Sequence, residues 1–328
     1  MTSTLPLVEG CLFLDNSKIE LITTCPTAAY YYICCKRELA SERSALRFGT
    51  FIHAALAYRY KNQPTWSESA QLALLSDLFT ASPLESEGWR NLDSASKLLR
   101  AFNALHPASS DVMLWPKGHK LAGEPMIEVP FAAYIGTVRG IKIIYMGRID
   151  RVLQGEDGIF VDDWKTTSKA GDLFWQDQAM SEQHRGYCWA LRACLGTEPT
   201  GYSVSMLCCR ESIVNSIFND LTGTLINTSE KSKAKPVEFG RQRVFTKEPP
   251  GQLDEWRENL LLQIDTFLYQ AERGTFAKHH KHCIGKYGPC QYYHVDELPL
   301  KSRATALASS AFMDVTWSPL NKTPNAKC

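Results

Sequence analysis

The chain has 328 residues, 44% of them hydrophobic and 22% charged, with a formal net charge of +1 and an isoelectric point near 7.5. That length and balance specify a globular chain with a sizeable core and exclude a global basic field, so a nucleic-acid partner has to be held by a local patch. No run of about eighteen apolar residues occurs, and Met1 to Pro6 lack a basic stretch leading into an apolar one, so the expectation is a cytoplasmic chain without a membrane span, its eleven cysteines mostly reduced and buried.

In chain order, Cys11 to Leu14 and Ile19 to Ile22 are short apolar runs around Asp15-Asn16-Ser17, a strand or a helix start. Pro26 after Thr23 and Thr24 marks a helix N-terminus, and Tyr30 to Tyr32 read as packing. Phe48, Ile52, Ala55 and Leu56 predict an amphipathic helix over 45–60, with Gly49, His53 and Ala57 four apart along one stripe. A lone histidine on such a helix is ordinarily structural. Apolar periodicity over Gln71 to Phe79 and Ser94 to Leu105, punctuated by Pro64, Pro83 and Pro107, predicts a helical insertion over about 61–120.

Strands follow. Met126 to Phe131 and Ile141 to Met146 alternate or run apolar, with turns at Gly136 and Gly140. Ile143 to Leu153, turn residues Gly155 to Gly158, and the apolar restart Ile159 to Val161 predict a β-hairpin. Asp150 lies in its first strand. Asp163 and Lys165, two apart at the end of the second, share a face by the strand period, so that with Asp150 they form an acidic pocket containing one cation. Two close carboxylates repel unless a divalent ion lies between them, and hard oxygen ligands suit Mg²⁺ or Mn²⁺. A lysine beside such an ion can orient or deprotonate a water. On these residues alone the alternative stands that Asp150, Asp162, Asp163 and Lys165 are ordinary polar ends of a surface hairpin.

A helix over Trp175 to Leu195 places Gln183, Tyr187 and Leu191 on one face. Gly201 to Cys209 reads as a strand, with Ser212 to Asn219 continuing the sheet. Lys231, Lys233, Lys235, Arg241 and Arg243 either track a phosphate backbone or form a solvated loop. Trp256, Leu260, Ile264, Phe267 and Leu268 define an amphipathic helix ending before Gly274, and a segment rich in His and Cys runs from His279 to His294. Residues 301–328 read as an extended or disordered tail.

Gly49-Thr50-x-x-His53, then Gly147-Arg-Ile-Asp150, then Asp163-Trp-Lys165-Thr166, then Gln183-x-x-x-Tyr187, in this order and at this spacing, resemble the RecB-like branch of the PD-(D/E)xK nuclease superfamily, which includes CRISPR-adaptation nucleases. The resemblance implies an α/β fold: a restriction-endonuclease-like core with a central mixed β-sheet flanked by helices, in one domain over residues 1–300 that carries the helical insertion. It implies a metal-dependent DNA nuclease, an exonuclease using Mg²⁺ or Mn²⁺. His53, Asp150, Asp163 and the main-chain carbonyl of Trp164 would hold the metal, Lys165 would assist the attacking water, and Gln183 and Tyr187 would place Lys165 or the DNA. The implied setting is recombination, repair or CRISPR adaptation in a bacterium or phage-infected cell, with a helicase or recombination protein as partner. Glu128 falls where the family often has an acidic residue, so it is either an auxiliary metal group or an exposed strand glutamate.

Cys25, Cys283 and Cys290 resemble the cysteine-bearing ends of iron–sulfur members of that family. Those members carry three cysteines in the second segment, whereas here the third position falls near Asp296. A [4Fe–4S] cluster would need His294 or His282 to complete it, the same set suits Zn²⁺, and packing without a metal is the third reading. Two rivals from other classes are a catalytically silent DNA-binding subunit that keeps the nuclease fold, and a metal hydrolase of a small phosphorylated molecule.

Overall fold

A long strand with a divided edge sets the architecture of the computed structural model, which describes residues 5–40, 44–63, 65–84, 89–106, 111–168, 171–196, 198–209, 242–246, 251–279, 281, 283–285 and 288–315. That strand, β4 (Ile141–Gly155), follows β1 (Cys11–Leu14), β2 (Arg37–Leu39) and β3 (Ile127–Val138) in the chain. β3 runs antiparallel along one edge of β4, from Ile127 opposite Arg151 to Val138 opposite Ile141. The other edge is shared by two strands in turn. β1 pairs in parallel with Lys142 to Tyr145, and β5 (Gly158–Thr167) pairs antiparallel with Arg151 to Gly155. Between them, Met146 to Ile149 pair on the β3 side only, and Asp150 has no ladder partner on either side, so the sheet forks there.

Beyond the fork β5 leaves β4 and continues on β6 (Gly201–Cys208), which pairs with it in parallel, and β7 (Gln242–Thr246) closes the sheet antiparallel. The result is a six-stranded mixed sheet, and the expected α/β class with a central mixed sheet flanked by helices is borne out. β6 is apolar or small along nearly its whole length because both of its faces are covered.

Two cores lie against the sheet. On one face α1 (Asn16–Thr24), α7 (Glu182–Leu195) and α8 (Gln252–Arg273) bury Ile19, Trp189, Trp256 and Ile264 against β1, β3 and β4. Asp15 caps α1 by accepting from the Lys18 N–H at 2.9 Å. On the other face α3 (Ser44–Lys61), α4 (Glu68–Ala81), α5 (Leu92–Leu105) and α6 (Asp172–Ala179) bury Phe48, Leu75, Phe102 and Trp175 with Trp164 and Met206 of the sheet. Among the described residues of the span expected to be a helical insertion lie two helices, α4 and α5, each started by a side-chain cap, Ser67 and Asn91.

A third core joins distant parts of the chain. α2 (Pro26–Ala29) runs into a π-helical turn, Tyr30–Cys34, and packs with α9 (Tyr293–Glu297), α10 (Leu300–Leu307) and Cys290, which follows the paired strands β8 (Ile284–Gly285) and β9 (Gly288–Pro289) of a β8–β9 hairpin. β10 (Phe312–Asp314) pairs antiparallel with β2. The expectation of an extended or disordered tail over 301–328 is therefore corrected as far as residue 315. Leu307 and Phe312 are buried against Tyr31 and Tyr292, and the Arg37 guanidinium donates to the Leu307 carbonyl at 2.7 Å.

The helix expected over Trp175 to Leu195 is broken into α6 and α7. The last carbonyls of α6 bond across to other elements: Gln178 to the His184 ring and the Tyr202 hydroxyl, Ala179 to that same hydroxyl. Ser212 to Asn219, Lys231, Lys233, Lys235 and Arg241 lie outside the described residues. Arg243 is described, and its guanidinium covers the Trp175 and Phe245 rings. Among the described residues no helix is long and apolar enough to cross a membrane.

Candidate active site in the sheet fork

The fork leaves backbone groups of β4 and β5 without each other, and a side chain fills the gap. Asp150, the last β4 residue before β5 joins, accepts the Trp164 N–H through Oδ2 at 2.7 Å. Its Oδ1 lies 3.5 Å from Nδ1 of His53, which α3 delivers from above. α3 can approach because residue 49 is glycine: an added Cβ there would stand 2.7 Å from the Thr166 hydroxyl of β5. Gly147 serves the same end on β4, where a Cβ would stand 2.5 Å from the Phe131 ring and 3.3 Å from that of Tyr187. The two motif glycines are thus places where neighbouring elements press on the backbone.

On β5, Asp163 is 3% exposed and its Oδ2 holds the Lys165 ammonium at 2.6 Å. The Lys165 ammonium also donates to Gln183 Oε1 at 2.9 Å, and the Gln183 amide donates to the Tyr187 hydroxyl at 2.9 Å. These residues are four apart on α7, one turn of helix, so a single helix face carries the relay. His53, Asp150, Asp163, Lys165, Gln183 and Tyr187 all line one cavity of about 640 Å³. Trp164 instead turns its indole into the second core, stacked on Tyr60 and edge-on to His53.

The charges are mutually adjusted. Burial works against a charged His53, but Asp150, with Asp163 behind it, raises its pKa above the ordinary histidine value. Burial likewise opposes an ionised Asp163, yet Lys165 and His184 outweigh it and hold the carboxyl well below the usual carboxylate range. Burial, reinforced by Asp163 and Asp150, keeps the Tyr187 hydroxyl protonated.

The two carboxylates facing one cavity match in kind the oxygen donors that Mg²⁺ or Mn²⁺ accept, with the His53 imidazole as a nitrogen donor beside them. Among the described residues, however, no three His, Cys, Asp or Glu side chains converge as a ready-made metal cage. The Lys165 ammonium sits on Oδ2 of Asp163 at 2.6 Å.

Sequence reading missed His184. It is completely buried, stacked on Tyr202, with Nε2 3.3 Å from Asp163 Oδ2 and Nδ1 3.3 Å from the Gln178 carbonyl. The available signal was its place beside Gln183 in Glu-Gln-His at the start of α7. Asp162 is the other correction: it is fully buried, not a polar end of a surface hairpin. Arg151, directly across the ladder, donates to it at 2.7 Å, and Ser203, Ser205 and Gln242 complete its shell. Glu128 is neither an exposed strand glutamate nor turned outward; its carboxylate accepts from Arg148 at 3.0 Å at the rim of the cavity.

The cysteines come together, but among the described residues they form no cage. Cys290 N–H donates to the Cys283 carbonyl at 2.8 Å as the two face each other at the base of the β8–β9 hairpin, and Cys25 is buried in the core against which Cys290 packs. Burial raises the pKa of both hairpin thiols, Cys25 adding to the effect. Asp296, at the expected third-cysteine position, is an anchor for the Tyr31 hydroxyl, Lys278 and Arg303. His294 is exposed and turned to Glu297, so it does not supply a fourth ligand here, and His282 lies outside the described residues.

A family model described as the PD-(D/E)XK nuclease superfamily matches residues 16–295, a span that includes every residue of the fork and all three of these cysteines. The chain has no significant match among curated proteins.

Proposed function

The chain belongs to the PD-(D/E)XK nuclease superfamily, and from that premise we propose that it is a metal-dependent deoxyribonuclease of the RecB-like branch, acting exonucleolytically in recombination, repair or CRISPR adaptation. One observation carries the reading: the fork gathers His53, Asp150, Asp163, Lys165, Gln183 and Tyr187 around one cavity, with the Lys165 ammonium held between Asp163 and Gln183. The order of the motifs along the chain supports the branch and the DNA substrate.

In this reading His53, Asp150, Asp163 and the Trp164 carbonyl would hold Mg²⁺ or Mn²⁺, which when bound would supply positive charge against the phosphate and ease deprotonation of water. The protein's own groups do the rest. Asp150 binds the Trp164 N–H and so fixes the end of β5 relative to β4. Gln183, pinned by a Tyr187 hydroxyl that stays protonated, orients Lys165. Lys165 then presents N–H donors to the attacking water or to a phosphate oxygen, where fixed positive charge is most effective in a partly enclosed cavity.

The second reading, a silent DNA-binding subunit, draws on the absence of a three-side-chain cage among the described residues. Cleavage of 5′- and 3′-labelled single- and double-stranded DNA with Mg²⁺, Mn²⁺ or chelator, comparing wild type with Lys165→Ala, separates the two. Metal-dependent products that fall by at least about a hundredfold in Lys165→Ala, with DNA binding kept, support the nuclease. Wild-type rates in Lys165→Ala overturn the mechanism, and no products from the wild type under any condition favour the silent subunit.

A further inference from the structure

The nuclease reading leaves one strained residue unexplained. Glu128 has φ 54, the left-handed region, although it is neither a glycine nor in a turn but inside β3. The β3–β4 ladder pairs Ile127 with Arg151 and Val129 with Ile149, and it skips the position between, where Glu128 stands opposite Asp150. Such a backbone is unfavourable for a side chain with a Cβ and persists only where its surroundings enforce it, most often at functional sites.

The twist places the Glu128 carboxylate on the Arg148 guanidinium at 3.0 Å. Both side chains are partly exposed, 21% and 16%, and both line the cavity of Asp150, Asp163 and Lys165. Surface ion pairs contribute little to stability and more buried ones often gain no more than their desolvation costs, so stability is a poor account of the strain. Arg148 is two residues before Asp150 on β4 and therefore on the same face. Lys165 is already engaged by Asp163 and Gln183. Besides Lys165, the cavity that holds Glu128, Asp150 and Asp163 is lined by two further cations, Lys61 and Arg148; Arg148 stands on the strand of Asp150, and its guanidinium fork, unlike an ammonium, fits two phosphate oxygens at once.

We propose that Arg148 binds a backbone phosphate of the DNA next to the one being cut, and that Glu128 is the positioning residue that aims it, at the expense of a left-handed backbone. This rests on the nuclease reading.

The test uses the full chain. Fluorescence anisotropy with labelled DNA in chelator, over a range of salt, compares wild type with Arg148→Met, and steady-state cleavage with Mn²⁺ or Mg²⁺ compares wild type with Glu128→Gln. Arg148→Met should raise Kd about tenfold on every sequence and lower the slope of log K against log salt by about 0.7–0.9, one phosphate contact. Arg148→Lys, should the methionine variant fail to fold, should keep the slope and still lose affinity, because the charge remains while the fork is gone. Glu128→Gln should raise KM with kcat unchanged. Glu128→Gly should melt above Glu128→Ala, since glycine adopts the left-handed backbone freely, while both show the raised KM. A folded Arg148 variant with wild-type Kd and slope overturns the phosphate contact, and a wild-type KM in Glu128→Gln overturns the aiming role. If wild type neither binds nor cuts DNA, the nuclease reading falls and this inference with it; wild-type binding alongside an unaffected Arg148→Met removes this inference alone.

Discussion

Asp162 and Asp163 are neighbours on one strand, and each carries a cation, yet they face opposite sides of the sheet and meet opposite fates. Asp162 is fully buried, and Arg151, two serine hydroxyls and the Gln242 amide fill its oxygens. Tyr60 covers the Arg151 guanidinium at 4.5 Å from the ring centroid, so nothing in that assembly is open to a ligand. Asp163 is almost as buried, but its partners Lys165 and His184 leave it on the wall of a cavity, and Lys165 is shared with Gln183. Burial of a carboxylate alone therefore does not distinguish structure from chemistry. What differs is whether the surrounding donors close over it or remain available to something else.

Breaking the closed side should give the largest effect. Asp162→Ala leaves the Arg151 charge buried without its carboxylate and should cost about 3–5 kcal/mol in urea unfolding, whereas Arg151→Met combined with Asp162→Leu should recover most of that loss. A double variant no more stable than Asp162→Ala would show that the serines and Gln242, not the charge pair, set the energy. On the open side, Gln183→Leu should leave the melting temperature nearly unchanged and lower kcat by roughly 10–100-fold, as expected when a partner that orients a working group is removed. Equal losses of stability and activity would instead make Gln183 a packing residue.

The smallest effect is a pH dependence. The native Asp163 carboxyl holds its proton less readily than in the unfolded chain, because Lys165 and His184 outweigh the opposing effect of burial. Its contribution is then complete above about pH 4 and is lost as pH falls further, towards the native value. The stability advantage of wild type over Asp163→Asn in chelator should shrink only in that acid range; an advantage that shrinks instead between neutral pH and pH 5 would contradict the depressed value.

The contrast was partly legible in the sequence. Period-two alternation put Asp163 and Lys165 on one face, and the helical repeat put Gln183 under Tyr187, because both are local consequences of backbone geometry. The role of Asp162 was not legible, since it depends on Arg151 standing opposite it in a particular register and on Ser203 and Ser205 arriving from a parallel strand. The break between α6 and α7 escaped for the same reason: Tyr202, from another strand, takes the carbonyls that would have continued the helix. The segment after Leu300 looked featureless because it buries only a few apolar residues, Leu307 and Phe312 among them, in a core whose other half is made far earlier in the chain.

That last feature also bears on synthesis. Tyr30, Tyr31 and Cys25 leave the ribosome long before Tyr292, Leu307 and Phe312, which cover them. The 270 residues that separate Arg37 from its bond partner Leu307 take roughly 14–54 s to translate at about 5–20 residues per second. Throughout that interval the nascent chain carries an uncovered tyrosine-rich patch for chaperones to hold, and a truncated product lacking the last segment would keep it exposed to proteases.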